Sequence, residues 1–199
     1  MTTSTKKIRP ASLSTGAAYS ERMKILIDPG HSGLREPGAC AGDVSEAAVV
    51  LAIARLAAAR LRERGHTVRL SRDGDIDDDG LTWRAELANE WGADLFLSIH
   101  ANSAADPAAH GTEVWHYPGS RAGRRLAHLI QRAIVRRLGT ADRGVKPATF
   151  TVLAATECPA VLIETAFLSN PADRALLTTP ARQADFAVAI AAAIEKINR

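Results

Sequence analysis

Short runs of branched and aromatic residues alternate with long segments whose apolar residues recur every three or four positions: KILID at 24–28, TVRLS at 67–71, DLFLSI at 94–99 and AVLI at 160–163 each border such a segment. This alternation constrains the fold more than any other feature of the chain. A strand, a helix and a second strand in succession bring the chain back parallel to itself, and a parallel sheet needs cover on both faces. Further strands are expected at 112–117 (TEVWHY) and 149–153 (TFTVL), with helices at 44–64, 80–91, 119–138, 172–177 and 181–198. The expected fold is therefore α/β, a mostly parallel, twisted sheet of about six strands with helices on both faces. The chain has 199 residues, 46% of them hydrophobic, enough for one domain with a sizeable core. We assign that domain to residues 23–199, after an N-terminal arm over residues 1–22 that lacks periodic apolar residues and is expected to be flexible. The arm has no apolar stretch of signal-peptide length, and the longest apolar runs, 47–54 and 187–194, fall far short of the ~18 residues a membrane helix needs.

In open α/β sheets, ligands collect beyond the carboxyl ends of the strands. Three ionisable residues occupy that position: His31 in "IDPGHSG", His100 closing "DLFLSIH" and Glu164 closing "AVLIE". A histidine in a turn is ordinarily a solvated turn residue. This chain has only six histidines, however, and the coincidence of three strand ends points to a site. Glu46 joins them from a helix, because it shares a stripe with Val50, Ile53, Ala57 and Leu61 and so points inward. Two readings of Glu46 stand. In one, Asp43 caps the helix and Glu46 folds back to the cap's N–H. In the other, the inward carboxylate offsets its desolvation by sharing a metal with the two histidines. Two His and one Glu with an open fourth position is the ligand set of a hydrolytic zinc site, which would leave Glu164 as general base. Asp28 in "DPG" either caps its turn or orients a ligand histidine, and Asn102 in "HANS" either touches substrate or bonds its own backbone.

Other features narrow the field. The net charge of +3 is concentrated in "RAGRRLAHLIQRAIVRR", where Arg121, Arg125, His128, Arg132 and Arg136 lie opposite Leu126, Ile130 and Ile134. This stripe reads as a solvated helix face, with attraction to an anionic polymer as the alternative. Aromatics make up 5% of the chain and none interleaves with the stripe, so no nucleic-acid partner is expected. No membrane partner is expected either, and the protein is expected to be a monomer. Cys40 and Cys158 are far apart in sequence and read as free thiols. "GDIDDDG" at 74–80 lacks calcium-loop spacing and reads as a solvated turn.

Together, "ILIDPGHSG", "GDVSEAAVVLAIARLAAARLRERGHTVRLSRDGD", "LTWRAELANEWGADLFLSIHANS", "GTEVWHY", "DRGVK" and "CPAVLIETAFLSN" give the chain a family resemblance. Over residues 23–198 it resembles zinc-dependent N-acetylmuramoyl-L-alanine amidases of the amidase-3 type. The resemblance implies that His31, Glu46 and His100 hold one Zn2+ per chain and that Glu164 is the catalytic glutamate. It further implies hydrolysis, in peptidoglycan or muropeptides, of the amide between the muramic acid lactyl group and the L-alanine of the stem peptide, by a zinc-activated water. Action at the bacterial cell wall or periplasm follows. With no recognisable signal peptide, the expected routes are cytoplasmic storage before release, as for a phage-type lysis enzyme or an effector, or truncation of a secreted enzyme. Thr165 and Ala166 stand where relatives commonly have Gly after the glutamate, and Ala154 where a basic residue is common. Gly111 follows His100 by only eleven positions, too few for the plugging helix that some relatives insert there. A zinc exopeptidase or acyl-amino-acid hydrolase for small soluble substrates, and a non-catalytic wall-binding module, are the alternatives. The presence of all four polar residues argues against the last.

Overall fold

The computed structural model describes residues 22–77 and 80–197; apart from Arg22, the expected N-terminal arm lies outside the described residues. Strand β1 (Lys24–Pro29) leads through a small hairpin, β2 (Cys40–Ala41) and β3 (Val44–Ser45), into helix α1 (Glu46–Glu63). Then come β4 (Thr67–Leu70), α2 (Leu81–Trp91), β5 (Leu95–Asn102), β6 (Thr112–His116), α3 (Arg121–Leu138) and β7 (Asp142–Pro147). The short α4 (Thr151–Ala154), β8 (Ala160–Phe167), α5 (Pro171–Thr178) and α6 (Pro180–Ile194) complete the chain. Six strands form one sheet in the order β4-β1-β5-β8-β6-β7. The first four of that order run parallel, β6 runs antiparallel to β8, and β7 is parallel to β6. The expected mostly parallel architecture is therefore present, with a reversed pair at one edge.

Two expectations need correction. Residues 149–153 are not a strand: Phe150 precedes the helical turn α4, which sets Val152 and Leu153 side by side against Leu26, Phe96 and Leu162. Adjacent residues of a strand point to opposite faces, so a strand could not bury both there. The edge strand is instead β7, over DRGVKP. Its half-exposed pairing on one side only leaves it without the alternation that marks a strand in sequence.

Side-chain alternation divides the core into two layers. Ile25, Ile27, Leu97, Ile99, Val161 and Ile163 pack under α1, α3 and α6, whereas Leu26, Phe96 and Leu162 face α2 and α4. Continuing the period of two to the strand ends sets Asp28, His100 and Glu164 on the α2 and α4 side. The register makes His100 and Glu164 direct neighbours, with Glu113 of β6 next to Glu164.

Asp28 is 1% exposed, and its carboxylate accepts hydrogen bonds from Ser71 Oγ (2.6 Å), Ser98 Oγ (2.8 Å) and Arg84 Nη1 (2.7 Å). Arg84 of α2 is 2% exposed and also donates to the carbonyls of Pro29 (3.0 Å) and His31 (2.7 Å). Removing one partner of a buried pair strands the other charge. Arg84→Met should therefore cost about 3–5 kcal/mol and lower Tm by about 10 °C. Arg55→Ala, which breaks the exposed pair with Asp73 (2.6 Å), should cost less than about 1 kcal/mol. Thermal denaturation of both variants checks the ranking, and an equal loss would show that Arg84 carries no special weight.

Candidate active site

The site forms where three chain segments meet at the carboxyl ends of β1, β5 and β8. After β1 the chain turns sharply, and His31 adopts a left-handed conformation with φ of 64°. That conformation is uncommon for any residue with a Cβ, and histidine tolerates it better than most. Arg84 fixes the carbonyl of His31, while Arg72 donates to the carbonyls of Pro29 (3.0 Å), Gly30 (2.8 Å) and Ala47 (2.8 Å). The two buried guanidiniums thus tie the histidine turn to the first turn of α1.

Glu46 opens α1, and the structure removes its capping reading. The helix cap is Ser45, whose Oγ accepts from the N–H of Ala48 at 3.3 Å, so Glu46 is free to turn inward. Its Oε2 lies 2.9 Å from His31 Nε2 and accepts from the N–H of Ala39 at 3.1 Å. Its Oε1 lies 2.9 Å from His100 Nδ1 and accepts from the N–H of Ala101 at 3.0 Å. The two imidazole rings meet edge to face at 5.1 Å. One donor atom from each of His31, Glu46 and His100 lies within 4.8 Å of the others. Close packing here depends on glycine: a Cβ on Gly38 would sit 2.5 Å from the His31 ring and 2.7 Å from Glu46 Oε2, and one on Gly30 would sit 2.3 Å from the His100 ring.

Electrostatics mark the cluster as a place built for positive charge. Burial alone would lower the pKa of His31, but the Glu46 and Glu36 carboxylates outweigh it and raise the imidazole to about 9. His100 is likewise raised, since its bond to Glu46 and the nearby Glu164 charge overcome burial. Burial would raise the pKa of Glu46, yet its bonds to the two imidazoles hold it far below the usual carboxylate range. A carboxylate between two imidazoles, with the far nitrogen of His31 bonded to Glu36 Oε1 at 2.6 Å, matches the donor chemistry of a divalent transition metal.

Glu164 differs from Glu46. Burial dominates and pushes its carboxyl up to about 7, with the charges of Glu46 and Glu113 adding to the rise. Its Oε2 is buried and has no hydrogen-bond partner among the described residues. A cleft of about 530 Å³ opens beside it, lined by His31, Glu36, His100 and Glu164 on one wall and by Leu81, Phe150 and Val152 on the other. None of residues 103–111 lines that cleft.

The remaining sequence candidates take supporting places. Asp28 touches neither histidine and acts on the His31 turn through Arg84. Asn102 Oδ1 accepts from the N–H of Ser103 at 2.8 Å, and its amide donates to Glu113 Oε1 at 2.9 Å. Thr165, in place of the family's glycine, donates its hydroxyl to the carbonyl of His100 at 2.8 Å. Cys40 and Cys158 are both free thiols. Sequence reasoning missed Glu36, Arg72, Arg84 and Glu113. Arg84 alone had a visible signal, since it precedes Ala85 and Ala88 on the face of α2 that is buried.

Comparison with known proteins identifies the family and the fold. The profile of the family described as N-acetylmuramoyl-L-alanine amidase matches residues 25–196. The N-acetylmuramoyl-L-alanine amidase LytC of Bacillus subtilis is 40% identical over 155 residues, covering 77% of this chain and 31% of LytC. The chain therefore spans less than a third of LytC's length. AmiA of Salmonella typhimurium, a protein of the same description, is 31% identical, covering 95% of this chain and 79% of AmiA. Among solved structures, the amidase AmiC2 of Nostoc punctiforme superposes with a TM-score of 0.83 at 34% identity, covering 89% of this chain and 98% of that one. With its matching profile, relatives, fold and strand-end cluster, the chain belongs to the N-acetylmuramoyl-L-alanine amidase family of the amidase-3 type.

Proposed function

We propose that residues 23–199 form a zinc-dependent peptidoglycan amidase, which hydrolyses the amide joining the lactyl group of N-acetylmuramic acid to the L-alanine of the stem peptide. His31, Glu46 and His100 hold the metal, and Glu164 is the general base. One observation carries this reading: three metal-type donors converge within 4.8 Å, and the buried, unpartnered Oε2 of Glu164 lies on the adjoining strand. Zinc in such a ligand set supplies Lewis acidity, lowering the pKa of water toward about 7 and drawing charge from a carbonyl.

The chain's own residues do the rest. Glu36 accepts from His31 Nδ1–H and so turns Nε2 toward Glu46. Glu164, with its carboxyl near 7, is matched to take a proton from the attacking water and return it to the departing alanine amine. Leu81, Phe150 and Val152 give the cleft beside Glu164 an apolar side. The proposed place of action is the bacterial cell wall, and no helix among the described residues is long and apolar enough to cross a membrane.

Incubation with purified peptidoglycan, followed by mass spectrometry, should release stem peptides with a free L-alanine amine. Turnover of acyl-amino acids with intact wall left untouched would instead identify a small-substrate hydrolase. Elemental analysis should find about one zinc per chain. Glu164→Gln should retain that zinc and lose about 10²-fold or more in rate, while Glu46→Gln should lose zinc and activity together. A zinc-free Glu164→Gln beside a zinc-loaded, inactive Glu46→Gln would reverse the two roles.

The raised pKa of Glu164 also has a sign that can be tested. The folded protein binds this proton more tightly than the unfolded chain. Its contribution is thus fully present below the unfolded value of 4.5 and is lost as pH rises to about 7. In chelator-treated protein, Glu164→Gln should therefore raise Tm at pH 8 and leave it nearly unchanged at pH 4. Equal shifts at both pH values would mean that the carboxyl is not desolvated.

A further inference from the structure

The row of strand-end residues does not stop at Glu164. Its register partner on β6, Glu113, is 4% exposed and receives three donors: Asn102 Nδ2 (2.9 Å), Arg143 Nε (3.0 Å) and Lys146 Nζ (2.5 Å). One cation would neutralise this carboxylate. Two converge on it, leaving a net positive charge beside the proposed base. Asp142, the remaining charge of β7, is bonded to Gln131 of α3 at 2.6 Å on the opposite face.

Both cations are held still and left accessible. Lys146 lies 5.1 Å from the centre of the Trp115 ring and Arg143 4.7 Å from that of Phe167, so each is fixed by a carboxylate at its tip and an aromatic ring at its flank. Their side chains are 36% and 37% exposed. Arg143 Nε serves Glu113 and its Nη1 serves the carbonyl of His110, while Nη2 has no partner among the described residues. Lys146 Nζ uses one of its three protons. Immobilised cations with unused donors recognise an anion at little entropic cost. Trp115 also packs edge to face at 5.5 Å on Phe150, which lines the cleft, so the positive patch and the cleft share a wall.

We infer that Arg143 and Lys146, anchored on Glu113, form a subsite for a carboxylate of the stem peptide, a role that rests on the amidase reading above. The residue after L-alanine supplies such a carboxylate when it is a glutamate linked through its side chain. It supplies none when that carboxyl is amidated. The subsite therefore sets a preference between acidic and amidated walls.

The test uses two synthetic substrates, N-acetylmuramoyl-L-alanyl-D-isoglutamate and the isoglutamine counterpart, with the zinc-loaded protein. The acidic substrate should be favoured in kcat/KM by about tenfold, through KM, and the preference should shrink as salt rises. Lys146→Met leaves Arg143 to neutralise Glu113, so the fold survives. This variant should bring the ratio toward one by raising KM for the acidic substrate, and Lys146→Arg should restore it. Equal cleavage of both substrates by the unaltered protein would overturn the subsite alone. An equal loss on both in Lys146→Met would reduce the pair to a structural role. Cleavage of neither substrate by the unaltered protein would overturn the amidase reading and the subsite with it.

Discussion

The site rests on a charge pair that the sheet conceals. Asp28 and Arg84 meet almost out of reach of water, where an ion pair is costly unless every remaining hydrogen-bonding position is filled. Here both partners have further bonds: two serine hydroxyls donate to Asp28, and two backbone carbonyls accept from Arg84. One of those carbonyls belongs to His31. The pair thus converts charge burial into backbone placement and holds the histidine in a conformation that the turn alone would disfavour. Arg72 repeats the device from the other side and links the same turn to the helix that supplies Glu46. The metal-type donors therefore sit on a framework that two buried guanidiniums hold together.

Burial of Glu164 sets a second, opposing demand. A carboxyl confined between β5 and β6 and close to two other glutamates holds its proton to near neutrality. That property suits a base working at neutral pH and lowers the stability of the ionised protein, a conflict common where chemistry requires a poorly solvated charge. Glu113 lies next to it with the opposite behaviour. Its burial is outweighed by Lys146 and Arg143, which hold it ionised. Adjacent glutamates in one sheet row are thus shifted in opposite directions because their partners differ.

How much of this was legible depended on the range of the forces involved. His31, His100 and Glu164 could be read from sequence because a parallel sheet sends its strand ends one way, so a residue closing an apolar run is placed by polarity alone. Glu46 could be read from its helical stripe, although only the structure removed the capping reading and turned its carboxylate to the two histidines. Residues 149–153 misled because threonine, phenylalanine and valine fit either state, and the need to bury Val152 beside Leu153 decided it. β7 was missed for the complementary reason, an edge strand with little buried surface. Arg84 was missed although Ala85 and Ala88 mark the buried face of α2, because an arginine in such a helix ordinarily faces water and its partner Asp28 is distant in the chain. Asn102 makes the local backbone bond expected of a loop asparagine and a second bond to Glu113, whereas the contacts of Asp28 are all long-range and no local pattern encodes them.

The reversal of β6 has a consequence for the chain around the site. Because β6 runs against β8, it begins at the same end where β5 finishes, and the connection over residues 103–111 leaves and rejoins the sheet at the end that carries the site, without lining the cleft. The sheet closes its hydrogen bonds on either side of that connection without depending on its length. Extra chain grafted there would leave the row of His100, Glu164 and Glu113 in register. The junction between β5 and β6 is thus a place where length can vary at no cost to the sheet that carries the site.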